Sequence, residues 1–102
     1  MIMIKIMNLR DCSVGERVDR TSGSVLGNPF SEKRYGRDEC IDRYRIWLWD
    51  RLQIAGSSQI VELQRLVSLY KDRKELVLLC WCAPKRCHAE VVAKAILWLL
   101  SK

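Results

Sequence analysis

The chain has 102 residues, a formal net charge of +6, 49% hydrophobic residues and 29% charged ones. That length suits a single domain spanning residues 1–102, and that apolar share excludes a disordered chain. No window is apolar for long enough to cross a membrane, and the basic balance favours anionic partners.

Met1 to Met7 alternates and is rich in β-branched residues, which predicts a strand. It is too short for a signal peptide and lacks a small-residue cleavage site. The cysteine count is five, an odd number that would leave one thiol unpaired in an oxidising compartment. A cytoplasmic setting is therefore expected.

Asn8 to Gly27 is polar and glycine-containing, and it predicts a loop with a short strand near Arg17–Val18. Gly27-Asn28-Pro29-Phe30 has the chemistry of a turn, with Gly27 free to take positive φ and Pro29 pushing Asn28 towards extended backbone.

A helix is expected from after Gly36 to about Ala55, with Cys40, Ile41, Tyr44, Trp47, Leu48 and Leu52 as its apolar stripe. Asp38 and Glu39 stand in its first turn, where the helix dipole favours negative charge. Trp47 and Trp49, two residues apart, cannot both face one core. Trp49 is expected to be the exposed one, lining a cleft or a partner surface. Two tryptophans on one helix also admit a homodimer.

Gly56 stops that helix, and Ser57 or Ser58 can cap the next. The second helix turns Ile60, Leu63, Leu66, Val67 and Tyr70 inward and ends in the charged run Lys71 to Glu75. Leu76 to Cys82 is a continuous apolar run, as expected of a strand covered on both faces. Pro84 ends it. From about Cys87, the residues Val91, Val92, Ala95, Ile96 and Leu99 predict a final amphipathic helix. Trp81 and Trp98 are expected in the core. The order strand, loop, helix, helix, strand, helix predicts an α/β fold, a small mixed or parallel sheet flanked by about three helices.

In open α/β sheets, ligands bind beyond the carboxyl ends of the strands. The run Cys80-Trp81-Cys82-Ala83-Pro84-Lys85-Arg86-Cys87-His88 occupies such a place. A helix N-terminus offers free N–H groups and partial positive charge, and Lys85 and Arg86 add to it. One reading is therefore an anion or thiol site. Cys87 would be a nucleophile or lend its amide to a phosphate, and His88 would act as acid, base or donor. In this reading Cys82, Pro84, Lys85 and Arg86 are ligand-binding.

A second reading is zinc held by Cys80, Cys82, Cys87 and His88. The donors suit zinc, but a single residue between Cys80 and Cys82 is closer than the usual pair spacing. A third reading makes the cysteines small apolar core residues, which suits Cys80 and admits Cys82, with Cys12 and Cys40 as core or loop residues rather than ligands. Nucleic acid is a further alternative partner, although the only short basic runs are Lys71-Asp72-Arg73-Lys74 and Lys85-Arg86.

Three segments together resemble a family. Gly27-Asn28-Pro29-Phe30, Arg37-Asp38-Glu39-Cys40 leading to Tyr44-Arg45-x-Trp47-Leu48, and Cys80-Trp81-Cys82-Ala83-Pro84-x-x-Cys87-His88 look like domain of unknown function 4326. The resemblance spans roughly residues 23–100, and its members are small proteins or domains of bacteria, archaea and their viruses. It carries over no established activity.

It implies that the motifs belong to one pattern, so that Asn28, Arg37, Cys82, Cys87 and His88 converge. A viral or mobile-element origin is an expectation on the same footing, which would make the cytoplasm that of a host cell. The combined expectation is a site for a nucleotide-like or phosphorylated small molecule. Asn28 and Phe30 would form one wall, Arg37 would contact the anion, and no cofactor would be needed unless zinc is bound. Sequestration of the ligand and covalent processing through Cys87 both remain open.

Overall fold

A computed structural model describes residues 4–19, 23–81 and 87–102. Among them the chain forms β1 (Ile4–Asn8), β2 (Glu16–Arg17), α1 (Glu32–Tyr35), α2 (Arg37–Leu52), α3 (Ser58–Arg73), β3 (Leu76–Cys80) and α4 (His88–Leu100). The expected α/β class holds, and the sheet is parallel throughout.

The strand order is β1-β3-β2, so β3 is central. Ile4 pairs with Leu76 and Asn8 with Cys80 on one side, while Glu16 pairs with Leu78 and Arg17 with Leu79 on the other. The central strand is paired on both edges at Leu78 and Leu79, and Leu76, Leu78, Leu79 and Cys80 are all buried. The unbroken apolar run of the sequence therefore reports this central position.

The helical faces are close to those expected. Cys40, Ile41, Tyr44, Leu48 and Leu52 of α2 are buried, with Trp47 packed at the edge of the core. Gln59, Ile60, Leu63, Leu66 and Val67 of α3 are buried, as are Ala89, Val92, Ala95 and Ile96 of α4. Ser57 caps α3 by accepting from the Ile60 amide at 3.2 Å. At the other end Lys74 closes α3 in the left-handed region, φ 64°, its amide donating to the Tyr70 carbonyl.

Several expectations need correcting. The strand expected to reach Cys82 ends at Cys80, whereas Met1 to Met3 of the first expected strand lie outside the described residues. Trp81, expected in the core, is half exposed at 50%. It follows the last paired residue of β3. The first long helix ends at Leu52 rather than near Ala55. The short helix α1 was not foreseen, because one helical turn is too short to show a periodic stripe. Gly36, at φ 79°, rather than Gly27, supplies the positive-φ break there, between α1 and α2.

Among the described residues no helix is long and apolar enough to cross a membrane.

Candidate functional site

All three strands are parallel, so their carboxyl ends open onto one edge of the sheet. At the end of β1, Asn8 donates from Nδ2 to the Trp81 carbonyl at 3.0 Å, and the Leu9 amide donates to the Cys80 carbonyl at 2.8 Å. At the end of β2, Arg17 grips Asp19 with two parallel bonds, Nε to Oδ1 at 2.8 Å and Nη2 to Oδ2 at 2.7 Å. Asp19 is almost fully buried, and this pairing holds the Arg17 guanidinium above its ordinary pKa. At the end of β3 stand Cys80 and Trp81, and α4 starts beside them.

His88 opens α4 and reaches across to the chain after β2. Its Nε2 donates to the Val18 carbonyl at 2.6 Å. A carbonyl can only accept, so this contact assigns a proton to Nε2. The ring also meets Tyr44 of α2 edge-on, with centroids 5.1 Å apart. Tyr44 itself is buried and donates from its hydroxyl to the Leu26 carbonyl at 2.6 Å. Burial, followed by the electrostatic influence of the neighbouring Cys87, pushes the Tyr44 hydroxyl pKa far up.

Cys87 is the N-cap of α4. Its Sγ accepts from the Ala89 amide at 3.2 Å, and its own amide donates to Glu90 Oε2 at 2.8 Å. This is a capping box with sulfur in the place usually taken by a hydroxyl. The amides of Cys87, Ala89 and Glu90 thus have acceptors within the chain, among them the carboxylate of Glu90, whose negative charge favours a helix start. The Cys87 sulfur is only 2% exposed and lies 3.2 Å from Cys80 Sγ.

The remaining motif residues form a neighbouring group. Asn28 accepts from the Phe30 amide at Oδ1, 2.8 Å, and donates from Nδ2 to Cys40 Sγ at 3.2 Å. Cys40 Sγ in turn donates to the Phe30 carbonyl at 3.1 Å. Arg37 pairs with Glu32 at 3.2 Å, which staples α1 to α2. Phe30 meets the Tyr35 ring edge-on. Asn28, Phe30, Cys40 and Arg37 therefore order the entry to α2. The link from this group to His88 runs through that helix, since Tyr44 follows Cys40 by one turn.

Cys82, Pro84, Lys85 and Arg86 lie outside the described residues, as does Arg20. Among the described residues no three His, Cys, Asp or Glu side chains are grouped so as to hold a metal ion.

Sequence reasoning missed Asn8, Asp19 and Tyr44 as parts of this edge. Asn8 and Asp19 carry a weak signal, a polar residue at the end of an alternating run. Tyr44 reads as one more core residue on a stripe. Away from the sheet edge, Trp49 is 46% exposed and lines a cleft of about 340 Å³ between α2 and α4, with Arg45, Lys94 and Trp98 among its other walls. Trp98 is partly buried there, its ring 4.8 Å from that of Trp49.

No match was found among curated proteins or among solved structures. The family model described as Domain of unknown function (DUF4326) matches residues 4–98, which takes in the strands, the helices and the whole edge where His88 meets Val18, and the chain belongs to that family.

Proposed function

We propose that this protein binds a phosphorylated or nucleotide-like small molecule at the carboxyl edge of its sheet, over His88 and Arg17. The observation that carries the reading is the His88–Val18 contact, which fixes an imidazole where three parallel strands end. Ligands of open α/β sheets gather at that edge. Arg17, held charged by Asp19, stands at the same edge, and Lys85 and Arg86 precede Cys87 and His88 in the sequence. The formal charge of +6 suits an anion.

The Cys87, Ala89 and Glu90 amides are already taken within the chain, so the contacts are assigned to side chains. Binding is favoured over covalent processing, because the Cys87 sulfur is turned inward against Cys80.

The test is a thermal-shift and calorimetric series with inorganic phosphate, ribose 5-phosphate, AMP, ADP and unphosphorylated adenosine. The expected result is a rise in Tm with at least one phosphorylated probe and none with adenosine. An affinity loss of about tenfold or more is expected in His88→Ala and in Arg17→Met, the size of one charge-assisted contact. Two results would overturn the reading. One is stoichiometric zinc in protein purified without added metal, lost in Cys82→Ser and His88→Ala. The other is salt-sensitive binding of single-stranded or duplex DNA with no response to any small probe.

A further inference from the structure

Cys80 ends the central strand and Cys87 caps the helix that follows, with six residues of chain between them. Their sulfurs are 3.2 Å apart, and both side chains are buried, at 0% and 2% exposure. The other two described cysteines are held elsewhere. Cys12 Sγ donates to the Val14 carbonyl, and Cys40 Sγ sits between Phe30 and Asn28. A disulfide needs sulfurs at about 2.05 Å, so the approach required is on the order of 1 Å.

The backbone on either side is already pinned. The Cys80 carbonyl accepts from the Leu9 amide, and the Cys87 amide donates to Glu90. The two thiols are thus presented to each other by the strand and the helix cap.

We propose that Cys80 and Cys87 are a dithiol that closes to a disulfide by exchange with a low-molecular-weight disulfide, and that this bond ties the end of β3 to the start of α4. The two positions imply different roles. Cys87 lies at a helix terminus, and a helix end opens at a lower free-energy cost than the centre of a sheet. Cys80 is fixed in the middle of the sheet and stays covered.

Cys87, as thiolate, attacks one sulfur of the incoming disulfide RSSR, forming a Cys87–SR bond and releasing RS⁻. The Cys80 thiolate then attacks the Cys87 sulfur and expels the second RS⁻. In total, two protein thiols and RSSR become one protein disulfide and two RSH, the protein being oxidised and RSSR reduced by two electrons. Exchange is slow because it waits for the first turn of α4 to open.

Trypsin cuts after Lys74, Lys85, Arg86 and Lys94, so Cys80 and Cys87 fall in separate peptides while Cys80 and Cys82 share one. The experiment equilibrates the full chain in glutathione buffers of graded oxidised-to-reduced ratio, blocks free thiols with N-ethylmaleimide and maps the tryptic peptides by mass spectrometry. Run in parallel on the natural chain and on Cys82→Ser, it is expected to give a cross-link between residues 75–85 and 87–94 in both. The product should be lighter by two hydrogens, grow with the oxidised fraction and disappear with dithiothreitol.

Cys80→Ser should instead accumulate glutathione on Cys87, several-fold more than the natural chain does. Loss of the cross-link in Cys82→Ser would overturn the assignment, as would free Cys80 and Cys87 at the most oxidising ratio. Thiols that react with maleimide only after a chelator is added would overturn it too, by showing that a metal holds them. No ligand enters the measurement, so its failure is separate from failure of the anion-binding reading. A Cys80→Ser chain that does not fold leaves the Cys82→Ser result decisive.

Discussion

His88 Nε2 donates to the Val18 carbonyl at 2.6 Å, and this bond ties the first residue of α4 to the chain leaving β2. Val18 is itself buried, and its amide donates to the Leu79 carbonyl of the central strand. One imidazole therefore joins two of the segments that follow strands. Replacing it by alanine leaves a buried carbonyl without its donor and removes the edge contact with Tyr44. The expected cost is about 1–3 kcal/mol in urea unfolding, through a lower midpoint at unchanged m-value. An unchanged midpoint would mean that water or another donor serves Val18.

Tyr44 predicts both a mutational and an alkaline effect. Tyr44→Phe keeps the ring but leaves the Leu26 carbonyl, itself in a fully buried residue, without its donor, for a cost of about 1–3 kcal/mol. For pH, the folded pKa is raised above the unfolded value of 10.0. The native state then keeps a proton that the unfolded state releases. Stability from this group is complete below pH 10.0 and falls above it, with a limiting slope of about 1.4 kcal/mol per pH unit. Urea midpoints measured on either side of that pH should show the fall in the natural chain and a smaller one in Tyr44→Phe.

Lys74 is the one non-glycine residue at positive φ among those described. A left-handed conformation costs an ordinary residue about 1–2 kcal/mol, and glycine's greater unfolded freedom offsets part of that gain. Lys74→Gly should therefore stabilise the chain by about 0.5–1 kcal/mol, read as a rise of several degrees in Tm by calorimetry.

Gly15 precedes β2 with φ 151°, and a Cβ there would stand 2.9 Å from the Val77 carbonyl oxygen. The obstacle is backbone of the central strand, which cannot move without disturbing its pairings. Gly15→Ala should lose about 1–3 kcal/mol, the size of a strained or overpacked site. Because β2 has only two residues, weakened protection of the Val18 amide in hydrogen exchange should accompany the loss.

The sequence by itself determined the elements and their buried faces. A stripe such as Cys40, Ile41, Tyr44, Leu48 and Leu52 is legible because helical period and apolar character are properties of neighbouring residues. The apolar run from Leu76 likewise announced a strand covered on both sides, and the run from Cys80 to His88 marked where a strand hands over to a helix. Strand order, and the side chains that meet across it, were decided only by tertiary structure. That β3 lies between β1 and β2, that His88 finds the Val18 carbonyl seventy residues away, and that Cys87 turns inward to Cys80 depend on contacts between distant segments. Trp81 shows the same limit. Its neighbours in sequence suggested a core position, but pairing stops at Cys80, and the ring beyond it is left half in solvent.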